Sequence, residues 1–171
     1  MQRSKIDWVL RAGIGVLAVL FVYVIYGAIY EHIVEAGDSA PQFSVTTDGG
    51  RVVSTSQFGG KLLVLNFWAS WCQPCVEETP SLSAFAQQYA NKGVVVLALS
   101  VDKDPEAYRK FVERFHPTFL TARDLKIHAD YGTYIYPESY VIDATGKVLR
   151  KYAEARNWTA PDTVSEINSL L

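Results

Sequence analysis

Cysteine is nearly missing from this 171-residue chain: two are present, Cys72 and Cys75, with two residues between them. A structural zinc site takes about four ligands, and no second cysteine pair exists to complete one. The three histidines, His32, His116 and His128, are scattered and follow no ligand spacing. No metal and no other cofactor is therefore expected. A surplus of one charge is missing too: 16 basic residues face 18 acidic ones, for a net charge of −2, and no strongly basic run occurs. Nucleic-acid binding then lacks its electrostatic footprint. There is no internal repeat and no low-complexity tract. What remains is ample core material, 49% hydrophobic and 13% aromatic, in a length that fits one domain with a modest extra segment.

Charge is absent altogether from Ala12 to Tyr30, "AGIGVLAVLFVYVIYGAIY", nineteen residues in all. A helix rises about 1.5 Å per residue, so this run approaches the roughly 30 Å hydrocarbon layer of a bilayer. Trp8, Tyr26 and Tyr30 suit the two interfaces. Arg3, Lys5 and Arg11 precede the run, while Glu31, Glu35 and Asp38 follow it. Basic residues stay on the cytoplasmic side, which places the N-terminus in the cytoplasm and the body outside it. A cleaved signal peptide ending at Ala36 is the alternative, but its apolar region usually runs to about 7–15 residues, and this one is longer. The expected layout is a cytoplasmic stub and single-pass anchor over 1–35, a linker over 36–42, and a periplasmic or otherwise extracytoplasmic domain over 43–171, tethered to the inner membrane. Cysteines exported in this way work where disulfides persist.

The exported part alternates strands and helices. "FSVTTDGGRVVSTSQF" reads as two short extended pieces about an Asp48-Gly49-Gly50 turn. "KLLVLNFW" (61–68) and "VVVLALSV" (94–101) are continuous apolar runs, expected as strands buried on both faces. Between them a helix is expected from about Gln73 to Asn91, kinked at Pro80, with Val76, Leu82, Phe85, Ala86 and Tyr89 inward. Asp104-Pro105 starts a further helix that His116-Pro117 stops. "TFL" (118–120) is a short strand, "DLKIHADY" a helical turn or two, and 139–153 an antiparallel hairpin. A last helix buries Val164, Ile167, Leu170 and Leu171. The pattern defines an α/β three-layer domain whose first two core strands run parallel.

The motif "NFWASWCQPCVEETP" follows one buried strand and opens a helix, which puts Cys72 at the helix N-terminus. Unpaired N–H groups and the positive end of the dipole stabilise a thiolate there. Cys75 shares that helical face and lies within disulfide reach, and Pro74 stiffens the turn between them. Cys72 can attack a partner's disulfide, and Cys75 can resolve the mixed disulfide that results. A purely structural bridge across two residues would restrain little of the unfolded chain, so redox chemistry is the better reading.

"LNFWASWCQPC" resembles the active-site strand and helix of thioredoxin-fold proteins. The longer Trp-Cys-x-x-Cys-x-x-Glu-x-Pro pattern, with "YGTYIYPESYVIDATGKVLRKYA", is similar to the membrane-anchored TlpA/ResA/CcmG branch, also called DsbE-like. The resemblance covers about residues 40–171. It implies a thioredoxin-like domain with a central mixed sheet and a redox-active Cys72–Cys75 disulfide. It also implies a cis-proline at Pro137, with the Tyr136 backbone pairing with an extended substrate. Glu78 occupies the position of a partly buried acid that exchanges protons with Cys75. Asn66 replaces the aspartate of cytosolic thioredoxins, so proton handling passes to Glu78. Trp71 is read as shielding the disulfide and meeting partners, and Trp68 as core. Ile135 departs from the branch, which often has glycine there, and bears on substrate choice.

The implied activity is reduction of disulfides in exported proteins, apocytochrome c among the clients, with the dithiol recharged by a membrane electron donor of DsbD/CcdA type. Three alternatives stand beside it. The same fold can act as a thiol oxidase. "PQFSVTTDGG" resembles thiol peroxidases, but Ala69 occupies the place of their peroxide-binding Thr or Ser. Copper or haem handling would use the thiols, His128 being the one histidine considered as a helper. Asn157-Trp158-Thr159 is taken as a chance glycosylation sequon.

Overall fold

The computed structural model describes residues 2–29 and 33–171, with side chains described at 11–25, 27 and 33–171. It comprises two compact units, Met1–His32 and Ile33–Leu171. The first is helix α1 (Gln2–Ile29), which runs through the charge-free stretch. Ile14, Leu17, Phe21 and Val24 leave most of their surface exposed. Among the described residues no helix is long and apolar enough to cross a membrane, and the described side chains of α1 stop at 11–25 and 27. Tyr30, Glu31 and His32, and the side chains of Arg3, Lys5, Trp8 and Tyr26, lie outside the described residues.

The second unit has a thioredoxin-like α/β fold. A small antiparallel pair, β1 (Ser44–Thr46) and β2 (Val52–Ser54), precedes the central strand β3 (Leu62–Trp68). Then follow α2 (Gln73–Tyr89), β4 (Val94–Ser100), α3 (Pro105–Phe115), β5 (Leu120–Arg123), α4 (Ile127–Asp130), β6 (Glu138–Asp143), β7 (Val148–Tyr152) and α5 (Pro161–Asn168). The main sheet has the order β5-β4-β3-β6-β7. Strands β3, β4 and β5 are parallel, while β6 and β7 run antiparallel to their neighbours.

All seven residues of β3 are buried, because the sheet is covered on both faces. The alternation of side chains sorts them into two cores. Leu62, Val64 and Trp68 pack with Leu82, Phe85 and Tyr89 of α2, Tyr108 and Phe111 of α3, Ile167 of α5, and Trp158. Leu63, Leu65 and Phe67 pack with Phe58, Ile127, Tyr131 and Tyr140. In a sheet of this topology ligands and chemistry collect at the carboxyl ends of the parallel strands, which is where β3 meets the cysteines.

Several boundaries move from the sequence expectation. Helix α2 passes through Pro80 and ends at Tyr89, and a 3-10 turn (Ala90–Lys92) carries the chain to Gly93. Gly93 adopts φ +87, where a side chain would crowd Lys61. The strand expected at 118–120 begins at Leu120, where pairing with Leu97 starts, because Phe119 turns into the helix-side core. Leu171 is exposed beyond α5, while Thr163 joins Ile167 on its buried face.

Residues 34–40, expected at the junction of anchor and linker, are bonded to the domain. Val34 N–H donates to Tyr131 O (3.1 Å), Gly37 N–H to Val148 O (2.8 Å) and Ala40 N–H to Gly146 O (2.8 Å). Val34 is fully buried.

Candidate active site

Strand β3 delivers the chain at Trp68 into the loop Ala69-Ser70-Trp71. Asp102, 1% exposed just beyond β4, holds that loop. Its carboxylate accepts the Ser70 N–H (3.0 Å), the Ser70 hydroxyl (2.8 Å) and the Ser100 hydroxyl (2.7 Å). Val101 N–H adds a bond to Trp68 O at 2.9 Å. The backbone that presents Trp71 and Cys72 is thus tied to the end of the neighbouring parallel strand.

Cys72 caps α2 in an extended conformation, and its sulfur accepts the N–H of Cys75 at 3.3 Å. Pro74 fills the first turn, where a missing N–H costs no helical bond. Cys72 and Cys75 are joined in a disulfide with their Cα atoms 5.3 Å apart. Both are buried, Cys72 (6% exposed) slightly less than Cys75 (3%).

The Tyr136–Pro137 peptide bond is cis. The Tyr136 carbonyl oxygen lies 3.4 Å from Cys72 Sγ, within reach of a thiol proton once the disulfide opens. Around this contact stands an apolar rim. Trp71 is 68% exposed, Tyr134 55% and Ile135 76%, and the Trp71 ring meets Tyr136 edge-on at 6.0 Å. Behind Tyr136 sits His128, whose Nδ1 is 2.8 Å from Thr133 O and 3.2 Å from the Tyr136 hydroxyl. A carbonyl only accepts, so Nδ1 carries the proton and donates it to Thr133. The structure therefore places His128 against Tyr136.

Glu78 lies one turn along α2 from Cys75 and is 5% exposed. Its carboxyl accepts the indole N–H of Trp158. Burial pushes the Glu78 carboxyl up to about 7, against the opposing pull of the Trp158 N–H, the Arg156 main-chain N–H and the Arg156 charge. Glu77 next door points outward and takes a bond from Gln73 (3.0 Å). Asn66, in the middle of β3, donates its amide to Ser139 Oγ across the β3–β6 pair at 2.8 Å. A neutral amide there cannot take a proton, which leaves Glu78 as the buried acid nearest the pair along the helix.

Sequence reasoning did not select Trp158, Arg156, Asp102 or Glu138. Asp102 had a usable signal, since it ends a parallel strand at the same end of the sheet as Cys72. Glu138 follows the cis-proline and is buried at 6% exposure, paired with Lys151 Nζ at 3.0 Å. Nothing in the local pattern marks Trp158 as a core residue, because it stands alone in a polar loop.

A disulfide that caps a helix at the end of a central parallel strand, with the carbonyl preceding a cis-proline laid against its first sulfur, defines a thioredoxin-fold site for thiol-disulfide exchange. The chain belongs to the Redoxin family, whose model matches residues 35–171. It is 37% identical over 123 residues to the thiol-disulfide oxidoreductase ResA of Bacillus thuringiensis subsp. konkukian, covering 71% of each chain. It is 34% identical over 155 residues to the ResA of Geobacillus thermodenitrificans, covering 88% of this chain and 84% of that one. Among solved structures, a candidate thiol:disulfide interchange protein DsbE from Chlorobium tepidum superposes with a TM-score of 0.72 at 31% identity, over 81% of this chain and 98% of the other. The protein is a protein thiol-disulfide oxidoreductase of the ResA/DsbE type, with Cys72 and Cys75 as its cysteine pair.

Proposed function

We propose that this oxidoreductase works as a reductase of disulfides in exported proteins, apocytochrome c among them, while tethered to the cytoplasmic membrane. The observation that carries the exchange chemistry in this reading is the buried carboxyl of Glu78 behind Cys75. In the dithiol form the Cys72 thiolate, held by the Cys75 N–H, attacks one sulfur of a client disulfide. A mixed disulfide forms, and the client's second sulfur leaves as a thiolate that takes a proton from water. The Cys75 thiol then gives its proton to the Glu78 carboxylate and attacks Cys72. The Cys72–Cys75 disulfide forms, and the client leaves reduced by two electrons in total. Trp71 and the Tyr136 backbone, beside Pro137, receive the client segment; Asn66 and Pro74 support the pair.

The charge-free run 12–30, with Arg3, Lys5 and Arg11 before it, supports a single-pass anchor, a cytoplasmic N-terminus and a periplasmic or extracytoplasmic domain. A reductant in an oxidising compartment must be recharged, and a membrane dithiol donor of DsbD/CcdA type fits that need.

Trapping tests the reading. A Cys75→Ser chain cannot resolve its mixed disulfides, so exported proteins that carry cysteine pairs are expected to accumulate on Cys72. The reduction potential fixes the direction: a value near the thioredoxin end, about −270 mV, supports a reductase, and one near −120 mV reverses it.

A further inference from the structure

The carboxyl of Glu78 draws its partners from a single loop outside α2. The Trp158 indole N–H and the Arg156 main-chain N–H both donate to it, and the Arg156 guanidinium adds charge from the same side. Trp158 is fully buried in a polar stretch, between Phe85 (ring centroids 5.3 Å apart) and Tyr152 (5.8 Å). Such packing leaves the indole no room to turn. The main chain is fixed as well: Trp158 N–H donates to Ser81 Oγ (3.2 Å), and Ser81 Oγ donates to the Glu78 carbonyl (2.9 Å). Loop and helix are stitched together at the very turn that carries the acid.

Beside this contact opens a groove of about 560 Å³ lined by Glu77, Glu78, Ser81, Arg156, Asn157 and Thr159, among others. Neither Trp71, Cys72, Tyr136 nor Pro137 lines it. Glu78 therefore borders a groove that these four residues of the disulfide and cis-proline corner do not share.

We propose that Trp158 is the positioning residue for Glu78: its indole N–H aims the carboxylate, and so sets the pH range over which Glu78 takes the proton of Cys75 and hands it to water in the groove. The inference rests on the reading of Glu78 as the proton-exchange group. An N–H bonds a carboxylate more strongly than a neutral acid, so Trp158 favours the ionised form of Glu78 and offsets part of the cost of burial. The other charged groups around it act as follows. Arg156 favours the ionised form. Glu77, on the same helix and at the groove, is exposed and bonded to Gln73. Glu166 of α5, 3.5 Å from Arg156 Nη1, weakens the pull of that arginine, whose guanidinium stacks 3.6 Å above the Tyr152 ring.

Two measurements on the full chain in detergent test this. In the first, the reduced protein is mixed with an aromatic disulfide, and the Cys75-dependent release of the second aromatic thiol is followed from pH 5 to 9. Trp158→Phe keeps the ring and removes the donor. Its half-maximal pH is expected to rise by about one unit, with the rate at pH 7 falling about fivefold. Glu78→Gln should abolish that inflection. If Glu78→Gln keeps the inflection, the underlying reading is wrong; if only Trp158→Phe leaves the midpoint unmoved, the role of Trp158 is wrong. In the second, which needs no Trp158 variant to fold, the indole N–H resonance of Trp158 is followed against pH in the wild-type chain. It should shift with a midpoint near 7 and stay still in Glu78→Gln. A resonance that does not titrate in the wild type overturns the proposal.

Discussion

Tyr136 turns its carbonyl oxygen to 3.4 Å from Cys72 Sγ, across 64 residues of sequence, while its ring lies edge-on to Trp71. The carbonyl and the two exposed residues on either side of it, Ile135 and Trp71, face the same approach to the sulfur. In the proposed function a client passes these groups before it is attacked, so they are where discrimination between clients is expected to arise.

Trp71 has little packing to lose, being 68% exposed. Trp71→Ala should leave the melting temperature nearly unchanged, within about 0.5 kcal/mol of stability. It should raise KM for disulfide peptides about tenfold, as expected for an aromatic anchor at an interface. Ile135→Gly should widen the range of accepted peptides with a similarly small effect on stability. Steady-state kinetics on a set of peptides with varied flanking residues reads both effects; an unchanged KM for Trp71→Ala would remove it from the client face.

Asp102 accepts three hydrogen bonds that no water can replace at 1% exposure. Asp102→Asn sets an amide donor against two hydroxyl donors and a main-chain N–H. A loss of about 2–3 kcal/mol in denaturant unfolding is expected. The initial rate of Cys72 with a small disulfide should fall as well, because the loop before it loosens.

Glu78 links activity to stability with a definite sign. Its folded value, about 7, lies above the ordinary 4.5, so between these two pH values the native chain binds more protons than the unfolded chain. The contribution of Glu78 to stability falls as pH rises through that window and is flat on either side of it. Glu78→Gln has no such slope. By pH 8 the variant should be more stable than the wild type by up to about 3 kcal/mol, a difference that vanishes below pH 4.5. Thermal melts of both oxidised proteins at a series of pH values check this.

Lys151 bridges two acids, Glu138 at 3.0 Å and Glu35 at 2.9 Å, and only Glu35 is exposed. Removing the cation strands a buried carboxylate beside the cis-proline. Lys151→Met should cost about 3–5 kcal/mol, and adding Glu138→Gln should restore much of it. If the double variant is no more stable than the single one in urea unfolding, the pairing is not what holds this corner.

Much of this molecule was legible in order of residues. The apolar runs that became β3 and β4 could be read because a strand buried on both faces has no polar side to show. Asp104 was legible as an N-cap, and its side chain does accept the Glu106 N–H. The cysteine pair declared its place because a strand runs straight into it. The edge of β5 was not legible, since the point where pairing begins depends on where Phe119 finds room in the core. Nor was the surrounding of Glu78: its partner lies 80 positions away, in a stretch read as a chance sequon. Local pattern finds the acid; only the packed loop shows what tunes it.

The bonds from residues 37–40 to β7 have one more effect. Gly37 N–H donates to Val148 O, Val148 N–H to Asp38 O, and Ser39 forms a bridge to Lys147. The sheet's outer margin begins already occupied by the chain's own leading residues, so its first open amides are spoken for. A second molecule seeking to add a strand there finds the Lys147–Val148 end of that border already taken, which guards those residues against edge-to-edge pairing.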